Sequence, residues 1–257
     1  PIFDITLDEL TDRYDAVIFS TGCFVDASLD IPGVDLPGSY GAADFVNWYD
    51  AHPDVSQEWP LEAEQVAVIG NGNVALDVAR VLAKQADDMH VTEIPDHVYE
   101  GLKSSKVTDV HVFGRRGPAQ AKFTPLELRE LGHVADVDVI VYPEDFEFDE
   151  ASMASIHSNN QVKQVSKTLT DFTMREPTGA KRRLHLHFLH APTEILGDGR
   201  VEALRTERQE LDGTGNVRGT GEYVDYPVQA VYRAIGYFGS ELPEIGYDDK
   251  RGVITNV

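Results

Sequence analysis

Short apolar runs alternate with stretches of helical period along most of this chain. Ala16-Val17-Ile18-Phe19, Val66-Ala67-Val68-Ile69, Asp109–Phe113 and Val137–Val141 are rich in β-branched and aromatic side chains, the pattern of strands buried on both faces. Between them, Ala42–Ala51, Asn73–Gln85, Ile94–Lys103 and Pro125–Leu131 repeat their apolar positions with helical spacing. A further helix over Ile5–Tyr14 opens on Thr6-Leu7-Asp8-Glu9, a capping-box pattern, and the polar stretch Ser152–Thr173 is also expected to be helical. Proline and glycine mark Ile31–Gly41 and Pro53–Pro60 as loops. From Leu184 the period changes to two. Leu184–His190, Val201–Glu210 and Glu222–Val224, with a turn at Gly197-Asp198-Gly199, predict antiparallel strands attached to the edge or face of a sheet. A last apolar stretch, Val228–Ile235, ends at Gly236. The expected fold class is α/β: a Rossmann-like parallel sheet flanked by helices, with an added antiparallel β segment.

Composition narrows the partners. The 257 residues carry 22 basic and 44 acidic side chains, a net charge of −22. Such a surface argues against nucleic acid or anionic membrane as partner, and any anionic ligand must be held by a local basic cluster. The single cysteine, Cys23, excludes an internal disulfide framework, fits a reducing cytoplasm and reads as a packing residue. No segment has the length and apolarity of a membrane span. A start at Pro1 and an uncapped end at Thr255-Asn256-Val257 predict a segment of a longer protein.

Between the clearest strand and the clearest helix lies Gly70-Asn71-Gly72-Asn73-Val74-Ala75, a G-x-G-x-x-A sequence. In this context Gly70 permits the tight turn, Gly72 lets a pyrophosphate approach the backbone, and Ala75 keeps the helix close to the sheet. The phosphates would meet free N–H groups at the helix N-terminus; the plainer reading is a glycine turn with no ligand. Where an NAD site would carry an acidic residue at the end of the next strand, this sequence has Gly114-Arg115-Arg116-Gly117. Paired guanidiniums suit a ribose 2′-phosphate, which favours NADP(H), although two arginines after a strand can also simply face solvent. Lys122 and Arg129 add two further bases within the same stretch. Thr124-Pro125-Leu126-Glu127 has capping-box form, so Glu127 can be expected to bond back to the Thr124 N–H.

Taken together, Val68–Arg80, Phe113-Gly114-Arg115-Arg116-Gly117-Pro118 and Phe123–Leu131 closely resemble the adrenodoxin reductase family of FAD-containing NADPH–ferredoxin reductases, the bacterial members most of all. Ile31-Pro32-Gly33, Leu36-Pro37-Gly38 and Ala234-Ile235-Gly236-Tyr237 extend the resemblance over nearly the whole chain. It implies an FAD domain built from both ends of a longer chain, with an NADP domain inserted between. On that basis residues 1–23 are a connecting helix and strand from the FAD domain, 24–235 the NADP-binding domain, and 236–257 the return. The FAD fingerprint and the C-terminal flavin-contacting segment are not in this sequence, so the segment is expected to bind NADP(H) without FAD and without activity of its own.

The resemblance also implies site roles. Asn71, Gly72, Asn73 and Val74 contact the cofactor diphosphate, Arg115 and Arg116 hold the 2′-phosphate, Glu127 stands near the nicotinamide, and Arg129 belongs to a ferredoxin-docking surface. An arginine common in the family before the Ile-Pro-Gly turn is replaced near Ala27, beside Asp26; Lys122 could compensate. Hydride would pass from NADPH to FAD, and electrons singly to ferredoxin. The alternatives are an NADPH–flavin module of a glutamate-synthase-like enzyme, which would be expected to carry cysteine clusters, and a non-enzymatic NADPH-binding regulatory module.

His185, His187 and His190 invite a metal reading because residues two apart share a strand face, but no cysteine or carboxylate motif completes a ligand set. No metal site is expected, and an exposed or half-buried strand face is favoured. Lys181-Arg182-Arg183 reads as a solvated turn.

Overall fold

The computed structural model describes residues 5–255. Pro1 and Val257, on which the expectation of a cut segment partly rests, lie outside the described residues. The chain divides into a smaller unit, residues 1–27 with 236–257, and a larger one, residues 28–235. In chain order the elements are α1 (Leu7–Thr11), β1 (Cys23–Asp26), β2 (Ser39–Gly41), α2 (Ala42–Tyr49), β3 (Gln65–Ile69), α3 (Asn73–Ala83), α4 (Asp96–Ser104), β4 (Asp109–Phe113), α5 (Pro125–Leu131) and β5 (Val137–Val141). Then follow α6 (Glu150–Ser158), α7 (Asn160–Thr173), β6 (Arg182–His187), β7 (His190–Leu196), β8 (Ala203–Leu211), β9 (Val217–Tyr226), β10 (Ala230–Arg233), β11 (Tyr237–Gly239), β12 (Tyr247–Asp248) and β13 (Val253–Ile254).

The larger unit is built on a six-stranded sheet in the order β2-β10-β3-β4-β6-β5. Every neighbouring pair in it is parallel. Its central strands are buried on both faces because both are covered. Ala67, Ile69, Phe113 and Val231 pack with Ile195, Leu204 and Val228 from the side of an antiparallel sheet, β7-β8-β9. α3 contributes Ala75, Leu76, Val78, Ala79, Leu82 and Ala83 to the core, an apolar stripe of helical spacing.

Several sequence expectations are corrected here. The run Ala16–Phe19 forms no strand, and Ile18 is 89% exposed. A parallel strand exists only with hydrogen-bonded neighbours, and among the described residues none pairs with this run. Leu184–His190 is not antiparallel. It divides at Leu189, whose φ of 58° turns the chain, into parallel β6, inserted between β4 and β5, and antiparallel β7. Its alternation of leucine and histidine marks two different buried faces rather than one wet face. Val228–Ile235 supplies β10, inside the parallel sheet between β2 and β3.

The smaller unit pairs β1 with β11 and β12 with β13, both antiparallel. Among the described residues none of the buried hydrophobic side chains lies in it. Cys23 accordingly is exposed rather than packed.

The expected solvated turn at Lys181-Arg182-Arg183 is also corrected. Arg182 opens β6 and is only 7% exposed. Its guanidinium donates to the carbonyls of Leu82 (3.1 Å) and Lys84 (2.6 Å), satisfying the end of α3 that a helix leaves unpaired. Arg182→Met should therefore destabilise the chain by about 2 kcal/mol, the worth of a buried charged hydrogen bond, read as a lower urea midpoint with an unchanged m-value. A variant as stable as the parent would contradict this capping role.

Candidate functional site

The parallel register brings three strand ends together. β3, β4 and β10 end side by side at Ile69, Phe113 and Arg233. The Gly70 N–H donates to the Phe113 carbonyl at 3.0 Å, and the Ala234 N–H to the Ile69 carbonyl at 2.8 Å. Successive strands run from β3 toward β5 on one side, while the chain returns to β10 on the other. The glycine loop thus occupies the switch point of the sheet, where doubly wound folds form a crevice.

The glycine loop is shaped by this crowding. Gly70 has φ of 150°, and a Cβ there would stand 2.3 Å from the Ala234 carbonyl oxygen. Over Gly72 the space is open, with nothing within 4 Å of where a Cβ would stand. Gly72 caps α3 with no side-chain hydrogen bond, and the first turn of α3 carries no acidic residue. Its leading N–H groups and dipole face an open cradle beside the partly exposed Asn71 and Val74. The Asn71 Nδ2 is buried with no hydrogen-bond partner among the described residues, a donor left over in the loop.

Beside this loop, Arg115 is exposed and Arg116 half-buried. Arg80, Arg183, Arg205, Arg208 and Arg218 all pair with carboxylates. Neither Arg115 nor Arg116 does so among the described residues. In a chain of net charge −22, two adjacent guanidiniums with no carboxylate partner are a local concentration of positive charge.

Glu127 sits where α5 meets α3, and its surroundings correct the expected capping box. The Thr124 hydroxyl accepts from the Glu127 N–H at 3.3 Å, so half of the box forms. The reciprocal half does not, because the Thr124 N–H donates to Asn73 Oδ1 at 2.8 Å. The Glu127 carboxylate instead meets Arg80 at 3.3 Å, and the same guanidinium also binds Glu130 and Asp77. Burial raises the Asp77 pKa; Arg80 opposes that shift, and the neighbouring glutamates add to it. Two links therefore fasten the glycine-loop helix to the Glu127 helix: Asn73 to Thr124 and Arg80 to Glu127. Asn73 Oδ1 is committed to the first of them, which leaves its Nδ2 and its backbone N–H as donors for a ligand. Sequence reading did not find Arg80, although Asp77 and Arg80 stand three apart on one helix face. Lys122 is exposed, its N–H donating to the Asn71 carbonyl, while Arg129 Nε donates to the Pro125 carbonyl at 3.1 Å. A separate cavity of about 710 Å³ is lined by Phe45, Tyr49, Arg80 and Met89, and includes none of Gly70–Ala75, Arg115 or Arg116. An elongated dinucleotide lies along strand ends, so the crevice and not this cavity is the candidate site.

Comparisons with known proteins identify the family and the fold. Residues 4–110 match the pyridine nucleotide-disulphide oxidoreductase family. The chain is 45% identical over 258 residues to NADPH-ferredoxin reductase FprA of Mycobacterium tuberculosis, covering 97% of this chain and 56% of that protein. It is 34% identical over 277 residues to the mitochondrial NADPH:adrenodoxin oxidoreductase of Bos taurus, covering 99% of this chain and 54% of that protein. The chain matches the adrenodoxin reductase-like family. A solved structure from this family, Mycobacterium tuberculosis FprA in complex with NADPH, superposes with a TM-score of 0.87 at 44% identity, over 98% of this chain and 57% of that one. The chain thus spans little more than half the length of these family members, and the α/β fold expected from the sequence is theirs.

The histidines lie apart from the crevice, under the same strand ends. His111, His185 and His187 are buried, and one nitrogen from each falls within 4.8 Å of the others, close enough for a shared cation. His190 is buried beside them. The arrangement is a stack rather than a chelate. The His111 and His185 rings lie 4.3 Å apart at 12°, so their in-plane lone pairs do not converge. His185 donates from Nε2 to Asp109 and accepts from the Tyr142 hydroxyl at Nδ1, while His111 and His187 share one hydrogen bond at 3.0 Å. Burial and the neighbouring His185 push the His111 pKa down to about 4, and burial with the other histidines pushes His187 down to about 2. Burial works to raise the Asp109 pKa, but hydrogen bonds from Arg183, His185 and Thr108 outweigh it and hold the carboxyl well below its usual range.

These shifts set a pH dependence. Below pH 6.5 the unfolded chain takes up protons that the folded stack refuses, so stability is full above that pH and falls as pH drops toward 4. The loss should reach roughly 2 kcal/mol for each of His111 and His187 at pH 5. Asp109 adds its own loss only below pH 3.8. Urea unfolding between pH 7 and 4.5 measures this, and a flat stability profile would rule out the neutral stack.

Proposed function

We propose that this chain is the NADP(H)-binding part of a cytoplasmic flavoprotein reductase that takes hydride from NADPH onto FAD and passes electrons singly to a ferredoxin. The observation that carries the reading is the pairing, on neighbouring strand ends, of an uncapped helix N-terminus with two guanidiniums free of carboxylates. One suits a diphosphate and the other a ribose 2′-phosphate, and the parallel register fixes the distance between them.

The donors present fit the cofactor. The leading N–H groups of α3 and the unpartnered Asn71 Nδ2 can take diphosphate oxygens over the open face of Gly72. Gly70 makes the turn, and Asn73 and Val74 contribute backbone. Arg115 and Arg116 would hold the 2′-phosphate. Bound there, NADPH supplies the hydride and FAD accepts it. This chain's own work is positioning: two rigid helix ends set the dinucleotide, and Arg80 fixes Glu127 on the helix clamped to that loop. Glu127 is the carboxylate assigned to the nicotinamide end. Arg129, exposed and basic, is assigned to contact an acidic ferredoxin, and the exposed Lys122 is a further base beside the crevice.

Calorimetric titration with NADP and NAD tests the phosphate assignment. Arg115→Ala with Arg116→Ala should weaken NADP by roughly tenfold or more per arginine and leave NAD unchanged. Equal binding of the two dinucleotides by the parent would sink it. The complete protein should be yellow and reduce ferredoxin with NADPH; a colourless, inactive preparation would remove the reductase reading while leaving the dinucleotide site standing.

A further inference from the structure

Arg115 and Arg116 are adjacent in sequence but not equivalent. Arg115 is exposed and has no hydrogen-bond partner among the described residues. Arg116 is held by the tip of the β8–β9 hairpin, one hundred residues further along the chain. Its Nη2 donates to the Gly215 carbonyl at 3.0 Å and to Asn216 Oδ1 at 3.2 Å.

The tip is braced to present these acceptors. Asn216 Nδ2 donates to the Thr214 hydroxyl at 3.0 Å, which leaves Oδ1 turned toward the guanidinium. Asp212 Oδ1 accepts from the Thr214 N–H at 2.8 Å and the Thr214 hydroxyl at 2.6 Å. The Gly215 N–H donates to Asp149 Oδ2 at 2.9 Å, and the other Asp149 oxygen caps α6 through the Ser152 N–H at 2.8 Å. The hairpin tip is thereby fixed to α6, and Arg116 is fixed to the tip.

The chemistry of these acceptors matters more than their number. Both are neutral, in a chain with 44 acidic residues. A carboxylate in the same place would hold the guanidinium as well but would cancel its charge toward an incoming anion. Only Nη2 is used, so the Nε hydrogen and the Nη1 hydrogens remain as separate charged donors for an incoming anion. We propose that Asn216 and the Gly215 carbonyl are positioning groups that preset Arg116 for a ribose 2′-phosphate, so that the hairpin tip takes part in selecting NADP(H) over NAD(H). The proposal rests on the assignment of Arg116 made above. Its physical basis is preorganisation: a guanidinium already held in place loses less side-chain entropy on binding.

The test is titration of the full chain with NADP and with NAD, for the parent, Asn216→Ala, Asn216→Asp and Arg116→Ala. Asn216 is exposed at a hairpin tip, and thermal unfolding checks that each variant keeps the parent fold. Asn216→Ala should weaken NADP about three- to tenfold with NAD within twofold, as expected when one hydrogen bond to a charged group is lost. Asn216→Asp should weaken NADP further, because it keeps the tether and neutralises the charge. If Arg116→Ala loses its preference for NADP while Asn216→Ala keeps the parent affinity, the positioning role is overturned and the phosphate assignment stands. Tighter NADP binding by Asn216→Ala would overturn it differently, making the tip a competitor for Arg116. An unchanged NADP preference in Arg116→Ala would overturn the assignment itself.

Discussion

The structure depends on the parallel pairing of β3 with β10 on one side and β4 on the other. In a parallel sheet neighbouring strands end at the same edge, so whatever follows each strand is delivered to one place. Here the deliveries are a glycine turn after β3, an arginine pair after β4 and the Ala234 backbone after β10. Each has a plain local character. Together they line the crevice proposed to hold the dinucleotide. The backbone bonds from Gly70 to Phe113 and from Ala234 to Ile69 join the three ends, so the site is as rigid as the sheet.

Around that edge the rest of the molecule acts as bracing. Asn73 and Arg80 tie the glycine-loop helix to α5, and Arg182 closes the other end of α3 from β6. The antiparallel sheet covers one face and sends its β8–β9 tip back to Arg116. The histidine stack beneath β4 and β6 is a polar part of the core in which His185 is satisfied at both nitrogens and His111 and His187 by each other, which lets four buried imidazoles remain neutral together. A buried polar network of this kind is tolerable only when its members find partners.

Local signals were legible where one segment contains all the physics. The strand, glycine turn and helix over Gln65–Ala83 are written in consecutive residues: a β-branched run, two glycines and an apolar stripe of helical spacing. α5 and β5 were equally readable. Legibility failed where a residue's role depends on what lies beside it. Ala16–Phe19 has a strand's composition but no strand neighbour among the described residues, and the period of two in β6 suggests an antiparallel strand although it lies parallel between β4 and β5 with both faces covered. The Thr124 capping box was misread for the same reason: its free N–H found a better acceptor in Asn73.

The sequence by itself determined the parts of the proposed site: a glycine turn opening a helix and a cationic pair at the next strand end, each a property of a few consecutive residues. Only the tertiary structure decided how those parts are held. Arg80 chooses Glu127 forty-seven residues away, and Arg116 is oriented by Gly215 and Asn216 ninety-nine and one hundred residues away. Backbone conformation and helix periodicity are set by sterics within a few residues, so a sequence displays them. Hydrogen bonds between distant segments exist only after burial has brought the partners together, and no spacing along the chain announces them.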